Sequence, residues 1–264
     1  MKLGFIGTGN MASAIMGGVI RKNVIPAGAI IGADLLEAGR NKVKEQFGIN
    51  VTADNKEVVK QSDIFILSVK PQFYADVISE IKDIVRDDQI IITIAPGKTL
   101  SWLSEQFGRD LKIVRTMPNT PAMVSEGMTA ACPNSQITDE DFSKVKEILT
   151  SFSQVEVVPE KLMDTVTAVS GSSPAYVFMI IEAMADAAVS GGMPRPQAYK
   201  FAAQAVLGSA KMVLETGKHP GELKDMVCSP AGTTIEAVRT LEELGLRSAI
   251  IEAMKVCEEK SSSM

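Results

Sequence analysis

The chain has 264 residues, 45% hydrophobic and 22% charged, with a formal net charge of −5 and a pI near 5.1. This is enough apolar material for a substantial core in one or two domains, and an acidic balance without a basic block argues against a nucleic-acid binder. Cys132, Cys228 and Cys257 lie far apart with no second thiol or histidine at ligand spacing, so neither a metal site nor a disulfide framework is expected, and a reduced cytoplasm suits them.

The N-terminus enters a strand at once. It lacks the charged and apolar regions of a secretory leader, and no uninterrupted apolar run reaches membrane-spanning length, so no membrane association is expected. Leu3, Phe5 and Ile6 form a buried strand, Gly7-Thr8-Gly9 breaks it, and residues 10–19 resume with helical spacing. In Gly7-x-Gly9-x-x-Ala12 the small residues stand where a dinucleotide fold needs them. Gly7 makes the turn, Gly9 admits a pyrophosphate, and Ala12 lets helix approach strand. The helix start then offers unpaired N–H groups and a positive dipole end. Ile6, Gly7, Thr8, Gly9, Asn10 and Met11 are therefore the expected cofactor contacts, against the alternative of an ordinary Gly-rich turn.

Residues 29–33 read as a second strand ending at Asp34, where an acid would accept hydrogen bonds from an adenosine ribose. A carboxylate there favours NAD over NADP, because it repels a 2′-phosphate. Arg40 and Lys42 follow closely, either to neutralise such a phosphate or as solvated helix surface. Strand and helix signals then alternate: helix 36–47 stopped by Gly48, strand 64–69, helix 73–85, and strands 90–94 and 113–116. Alternation of this kind predicts an α/β domain with a parallel-rich sheet of Rossmann type.

Ligands of such sheets bind beyond the carboxyl ends of the strands. That rule singles out Ser68-Val69-Lys70-Pro71, Ala95-Pro96-Gly97 and Met117-Pro118-Asn119-Thr120-Pro121. Lys70 is either a cofactor contact or a surface lysine opening a helix. Asn55 either approaches the adenosine or belongs, with Asp54, to a helix cap. Strands 128–132 and 155–158 around a helix 139–152 complete the first domain, with the boundary near Pro159.

From residue 160 to 264 only helices are predicted, over 174–189, 196–215, 221–227, 235–244 and 247–258. The first is apolar almost all round, which places it in a core or an interface. Five such helices cannot easily bury themselves, so this half is read as an all-α dimerisation domain of a homodimer. Cys228-Ser229-Pro230-Ala231-Gly232-Thr233-Thr234-Ile235 reads as an anion nest suited to a substrate carboxylate, or as a plain cap by Thr233 or Thr234. Ser170-Gly171-Ser172-Ser173-Pro174 invites the same two readings. His219, in a Gly-Lys-His-Pro loop, reads as an exposed turn residue, and Tyr176 as a buried helix residue or a phenol donor.

The Gly7 fingerprint, Val69-Lys70-Pro71, Met117-Pro118-Asn119-Thr120-Pro121, Ser170-Gly171-Ser172-Ser173-Pro174-Ala175-Tyr176 and Cys228 to Thr234, in this order and spacing, resemble pyrroline-5-carboxylate reductase over essentially the whole chain. The resemblance implies reduction of the C=N bond of 1-pyrroline-5-carboxylate to L-proline by NADPH or NADH, the last step of proline biosynthesis, in homodimers that assemble into decamers. It implies that Ser229, Gly232, Thr233 and Thr234 hold the substrate, with Thr234 at the ring nitrogen and Glu160 near the substrate loop. Val69, Lys70, Pro71, Ala95, Asn119 and Asn55 join the cofactor set. Ser173 stands where many members have Gly, Met226 where many have Asn, and Pro96 where alanine is common. Two rival readings are a β-hydroxyacid dehydrogenase, whose catalytic lysine neither Lys200 nor Lys211 matches in motif, and a non-catalytic nucleotide sensor, which has no need of the nest.

Overall fold

Short runs of β-branched and aromatic residues, punctuated by Gly, Ser and Asn, become the strands of one sheet. The computed structural model describes residues 1–263. Its strands are β1 (Leu3–Ile6), β2 (Ile30–Ala33), β3 (Asn50–Thr52), β4 (Ile64–Leu67), β5 (Ile90–Thr93), β6 (Lys112–Met117), β7 (Gly127–Pro133) and β8 (Ser153–Val157). They lie in the order β3-β2-β1-β4-β5-β6-β7-β8. All pairings are parallel except that of β6 with β7. The order reverses between β1 and β4, and that switch point is where an open α/β sheet receives its ligand.

Both faces of the sheet are covered, so successive strand residues serve different cores. Leu3, Phe5, Ile64, Ile66, Ile90, Ile92 and Val114 pack on one side, with α1 (Asn10–Arg21) and α6 (Asp139–Thr150). Ile6, Phe65, Leu67, Ile91 and Ile113 pack on the other, with α3 (Asn55–Gln61), α4 (Tyr74–Ile81) and α5 (Leu100–Phe107). Helix α2 (Glu37–Phe47) follows β2, and Gly48 ends it in a left-handed conformation, as the sequence predicts.

Strand β3 and helix α5 were not foreseen, and α3 only as the helix that a cap at Asp54 and Asn55 would open. β3 is three residues at the sheet edge with no buried position, so it carries no apolar signal. The predicted helix 73–85 is shorter, because Pro71–Phe73 forms a 3₁₀ turn and α4 ends at Ile81.

The chain divides into two compact units, residues 1–172 with 257–264, and residues 173–256. The sequence reading puts the change at Pro159. Residues 160–172 are helical but belong to the first unit: Met163, in α7 (Met163–Val166), is buried among Met117, Ala130 and Cys132 of the sheet. Residues 257–263, the end of α12 (Leu246–Ser262), return to it. Cys257, Glu258 and Ser261 bond Ser172, Thr165 and Asp164.

The second unit contains α8 (Ser173–Ser190), α9 (Arg195–Thr216), α10 (Pro220–Val227), α11 (Thr233–Glu243) and most of α12. Its buried apolar residues, Ala185, Ala198 and Ala202, lie on α8 and α9. Phe178, Met179, Phe201 and Leu214 are exposed, so α8 is not a core helix of its own unit. The continuous helical run Glu160–Ser190 is also long and apolar enough, by length and composition, to cross a membrane. Ser170-Gly171-Ser172, read in the sequence as an anion nest or a helix cap, lies within this run, where Thr167–Gly171 forms a π-helical turn ahead of α8.

Helix α6 shows what local chemistry stabilises. Thr138 and Asp141 form a capping box, and Lys112 Nζ lies 2.7 Å from Asp141 Oδ2. Burial alone would raise the Asp141 carboxyl, but hydrogen bonds from Lys112 and Thr138 outweigh it and hold it below the usual carboxylate range. A lowered folded pKa means stabilisation that is complete above the unfolded value, about 3.9, and lost as pH falls through the folded one. Asp141→Asn is expected to cost about 1–2 kcal/mol at neutral pH and to flatten the acid limb of the stability profile, read by urea denaturation across pH.

Candidate active site

The crevice begins at Gly7. Its φ of +97° is closed to L side chains without strain, and a Cβ there would lie 2.8 Å from the Ser68 carbonyl oxygen. β1 and β4 therefore approach at this turn only because the residue is glycine. Ser68 completes the closure: its Oγ donates to the carbonyls of Gly7 at 2.7 Å and Ile6 at 3.1 Å. Gly9 behaves differently, since a Cβ on it would meet nothing within 4 Å. The space beside it is open at the N-cap of α1, and no side chain caps that helix. Ala12 is buried in the core beneath. This is a cradle for a pyrophosphate on uncapped helix N–H groups, and the residues present fit a dinucleotide.

Asp34, at the end of β2, faces the same turn. Its Oδ2 accepts from Thr8 N and Thr8 Oγ1, both at 2.9 Å, and its Oδ1 accepts from Leu36 N at 3.0 Å. Ile6 and Thr8 are buried, while Asn10 is exposed and Met11 half-buried at the start of α1.

The loops after β4 and β5 are joined from below by a residue that sequence reasoning passed over. The buried Tyr74 hydroxyl donates to Leu67 O at 2.5 Å and accepts from Ile94 N at 3.3 Å, tying the ends of both strands. Burial pushes this phenol well above its usual range. In sequence it is one more apolar position of α4, alongside Ile78 and Ile81. A lone hydroxyl on an otherwise apolar helix face was the available signal. Val69 and Pro71 are half-buried, Lys70 is exposed ahead of the 3₁₀ turn, and Ala95 is buried.

Three expected site residues are occupied within the first unit. Asn119 is a brace, with Nδ2 donating to Ser170 O and Oδ1 accepting from Met128 N. Asn55 opens α3, which Asp54 caps, and its amide donates to Glu80. Glu160 Oε1 accepts from Arg115 at 2.9 Å and from Leu100 N at 2.7 Å. Arg115 is only 2% exposed, and as a single cation inside the apolar run of β6 it too was missed. Cys132 pairs opposite it, and burial first, then Glu160, raises the Cys132 thiol.

In the second unit the stretch before α11 resolves its two readings. α11 starts at Thr233 with Gly232 as N-cap and no side-chain cap, so neither threonine caps the helix. Gly232 N donates to Ser229 O at 3.1 Å, closing a turn in which Ala231 is left-handed at φ +57°. A Cβ on Gly232 would sit 2.3 Å from Ser229 Oγ. The first N–H groups of α11 are thus open beside the hydroxyls of Ser229, Thr233 and Thr234. His219 caps α10, accepting from Gly221 N. Among the described residues no three His, Cys, Asp or Glu side chains converge as for a metal.

Two sequence families match the chain, one described as pyrroline-5-carboxylate reductase dimerisation over residues 160–264 and one as NADP oxidoreductase, coenzyme F420-dependent, over residues 2–97. The pyrroline-5-carboxylate reductase of Escherichia coli is 54% identical, covering 100% of this chain and 98% of that protein. The chain belongs to the pyrroline-5-carboxylate reductase family.

Its structure agrees with solved members. The pyrroline carboxylate reductase of Plasmodium falciparum, solved with NADP bound, superposes with a TM-score of 0.92 at 32% identity, covering 100% of this chain and 97% of that one. The enzyme of Streptococcus pyogenes gives 0.91 at 34%, covering 100% and 99%. The protein is an NAD(P)H-dependent oxidoreductase that reduces 1-pyrroline-5-carboxylate, the closing step of proline synthesis. Its helical segment serves oligomerisation.

The geometry at Gly7 yields a direct expectation. Gly7→Ala combines a left-handed backbone, costing on the order of 1–3 kcal/mol, with a collision against main chain. Its thermal midpoint is expected to fall and its affinity for NADH and NADPH to drop tenfold or more, measured by melting and by dinucleotide fluorescence titration.

Proposed function

We propose a division of labour between the two units in this reductase. The first unit, taken as the domain 1–159 with its helical extension, binds the dinucleotide through Ile6, Gly7, Thr8, Gly9, Asn10, Met11 and Asp34. Val69, Lys70, Pro71, Ala95 and Asn119 shape the nicotinamide side of the crevice, and Asn55 flanks it at the start of α3. Glu160, held by Arg115 and by Leu100 N–H, serves the site by fixing the start of α5. The second unit grips the substrate. Ser229, Gly232 and Thr233, with the open N–H groups of α11, receive its carboxylate, and Thr234 hydrogen-bonds the ring nitrogen.

The observation that carries this reading is the uncapped start of α11 behind a turn in which Gly232 lies close under the Ser229 hydroxyl. An ordinary cap would spend a threonine hydroxyl on the helix, whereas here the helix end and three hydroxyls remain for an anion.

When bound, the reduced nicotinamide supplies a hydride to the imine carbon. The residues of the nest then orient the ring and exclude its other faces, a positioning effect that can contribute up to ~7–11 kcal/mol. The ring nitrogen ends with one added hydrogen, and an imine that binds already protonated brings that proton itself. Thr234 accordingly orients the nitrogen and need not act as a strong acid.

The apolar surface of α8 and α9 pairs two copies as a homodimer, and dimers associate further to a decamer. Large apolar side chains outside the core of this unit call for a cover, and Glu182 and Asp186 on α8 favour a second copy over lipid as that cover. The proposed compartment is the cytoplasm, in keeping with three free cysteines.

Steady-state assays with racemic pyrroline-5-carboxylate and each reduced dinucleotide test the site. Thr234→Ala is expected to lower kcat/KM about tenfold or more, since losing a buried hydrogen bond costs ~1–3 kcal/mol. Unchanged kinetics would remove Thr234 from the mechanism. For the interface, the double variant Phe178→Glu with Phe201→Glu is expected to sediment as monomer, and an unaltered oligomer would exclude that face.

A further inference from the structure

We propose that Asp34 makes this protein an NADH-selective reductase, by presenting a fixed carboxylate to the adenosine ribose, where a 2′-phosphate would meet it as a like charge. The proposal rests on the reading that the Gly7 crevice holds the dinucleotide, and it adds which of the two dinucleotides is preferred.

The carboxylate is locked. Thr8 N, Thr8 Oγ1 and Leu36 N donate to it, two of the bonds at 2.9 Å and the third at 3.0 Å. Gly39 in the first turn of α2 leaves it the room to sit there, since a Cβ at that position would lie 3.3 Å from Asp34 Cγ. Those three bonds keep it from swinging aside for an anion. Oδ1 accepts a single bond from Leu36 and retains capacity for one more donor. A ribose 2′-hydroxyl is such a donor. A 2′-phosphate has charge near −2 and only acceptor oxygens, and meets the same carboxylate as a like charge.

The nearest groups that could offset this repulsion are turned in part toward the protein's own acceptors. Leu36 N–H is bonded to Asp34 itself. Arg40 Nη1 donates to Asp34 O at 2.7 Å and Leu35 O at 3.1 Å, which holds that nitrogen on main chain and makes Arg40 the residue whose removal tests the alternative. Leu35 and Leu36, 88% and 71% exposed, offer apolar surface where a phosphate site needs hydroxyls or cations. Lys42 is two positions beyond Arg40 on α2, and residues at that spacing do not share a helix face.

The test is equilibrium titration of the full-length protein with NADH and with NADPH, followed by dinucleotide fluorescence without imine present. The expected result is NADH binding at least tenfold tighter. Asp34→Ser and Asp34→Asn are each expected to narrow that ratio at least tenfold, mainly by tightening NADPH, and Arg40→Ala is expected not to weaken NADPH selectively. Equal or tighter NADPH binding by the unaltered protein overturns the proposal. So does a ratio that survives both Asp34 substitutions, or a selective loss of NADPH in Arg40→Ala. If Asp34→Ser loses both ligands because Thr8 is released, Asp34→Asn, which keeps an acceptor for Thr8, decides. If that variant also binds neither, the ratio of the unaltered protein decides alone. Failure of the substrate reading is a separate result: no proline formed, with the binding ratio intact.

Discussion

The seam between β1 and β4 is the contact on which the rest of the first unit depends. Two parallel strands end side by side there, and their last carbonyls need donors that a following side chain would obstruct. Gly7 removes the obstruction and Ser68 supplies the donor. Once that seam is closed, α1 must start where its free N–H groups face the crevice, Asp34 falls within reach of Thr8, and Tyr74 can tie the next strand from beneath. A single backbone approach thereby fixes the geometry of a site assembled from four strand ends.

The legible parts of the sequence were those where local chemistry and tertiary role coincide. Apolar runs such as Ile90 to Thr93 could only be strands buried on both faces, and Gly48 and Gly217 stopped their helices by the left-handed conformation that glycine favours. The fingerprint at Gly7 and the stretch from Ser229 to Thr234 were readable for the same reason, since small residues there answer a backbone requirement. What escaped were polar groups whose partners are distant in sequence. Tyr74, Arg115 and the braces made by Asn119 bond across 7 to 51 positions, and no periodicity announces such a bond. The threonines that open α11 show the limit from the other side. Their composition suited a cap as well as a nest, and only the helix start at Thr233 excludes the cap.

The helical unit inverts the usual relation between core and surface. Alanines fill its buried positions while phenylalanine, methionine and leucine stand outside. Small residues let α8 and α9 lie close together, and large ones then provide contact area for whatever covers them. This arrangement makes the unit a poor independent domain and a good half of an interface. It also explains why one helical run satisfies the length and hydropathy of a membrane span: both situations need apolar side chains turned outward.

The return of residues 257–263 to the first unit has a bearing on how the protein is made. Domains emerging from the ribosome generally fold in order of synthesis, and the sheet and its helices are complete by residue 172. The bonds from Cys257, Glu258 and Ser261 to the helical segment around Asp164 and Ser172 form only after the whole intervening unit has been translated. The nucleotide-binding half therefore gains this clasp late, after a helical unit that contributes nothing to its sheet has been made.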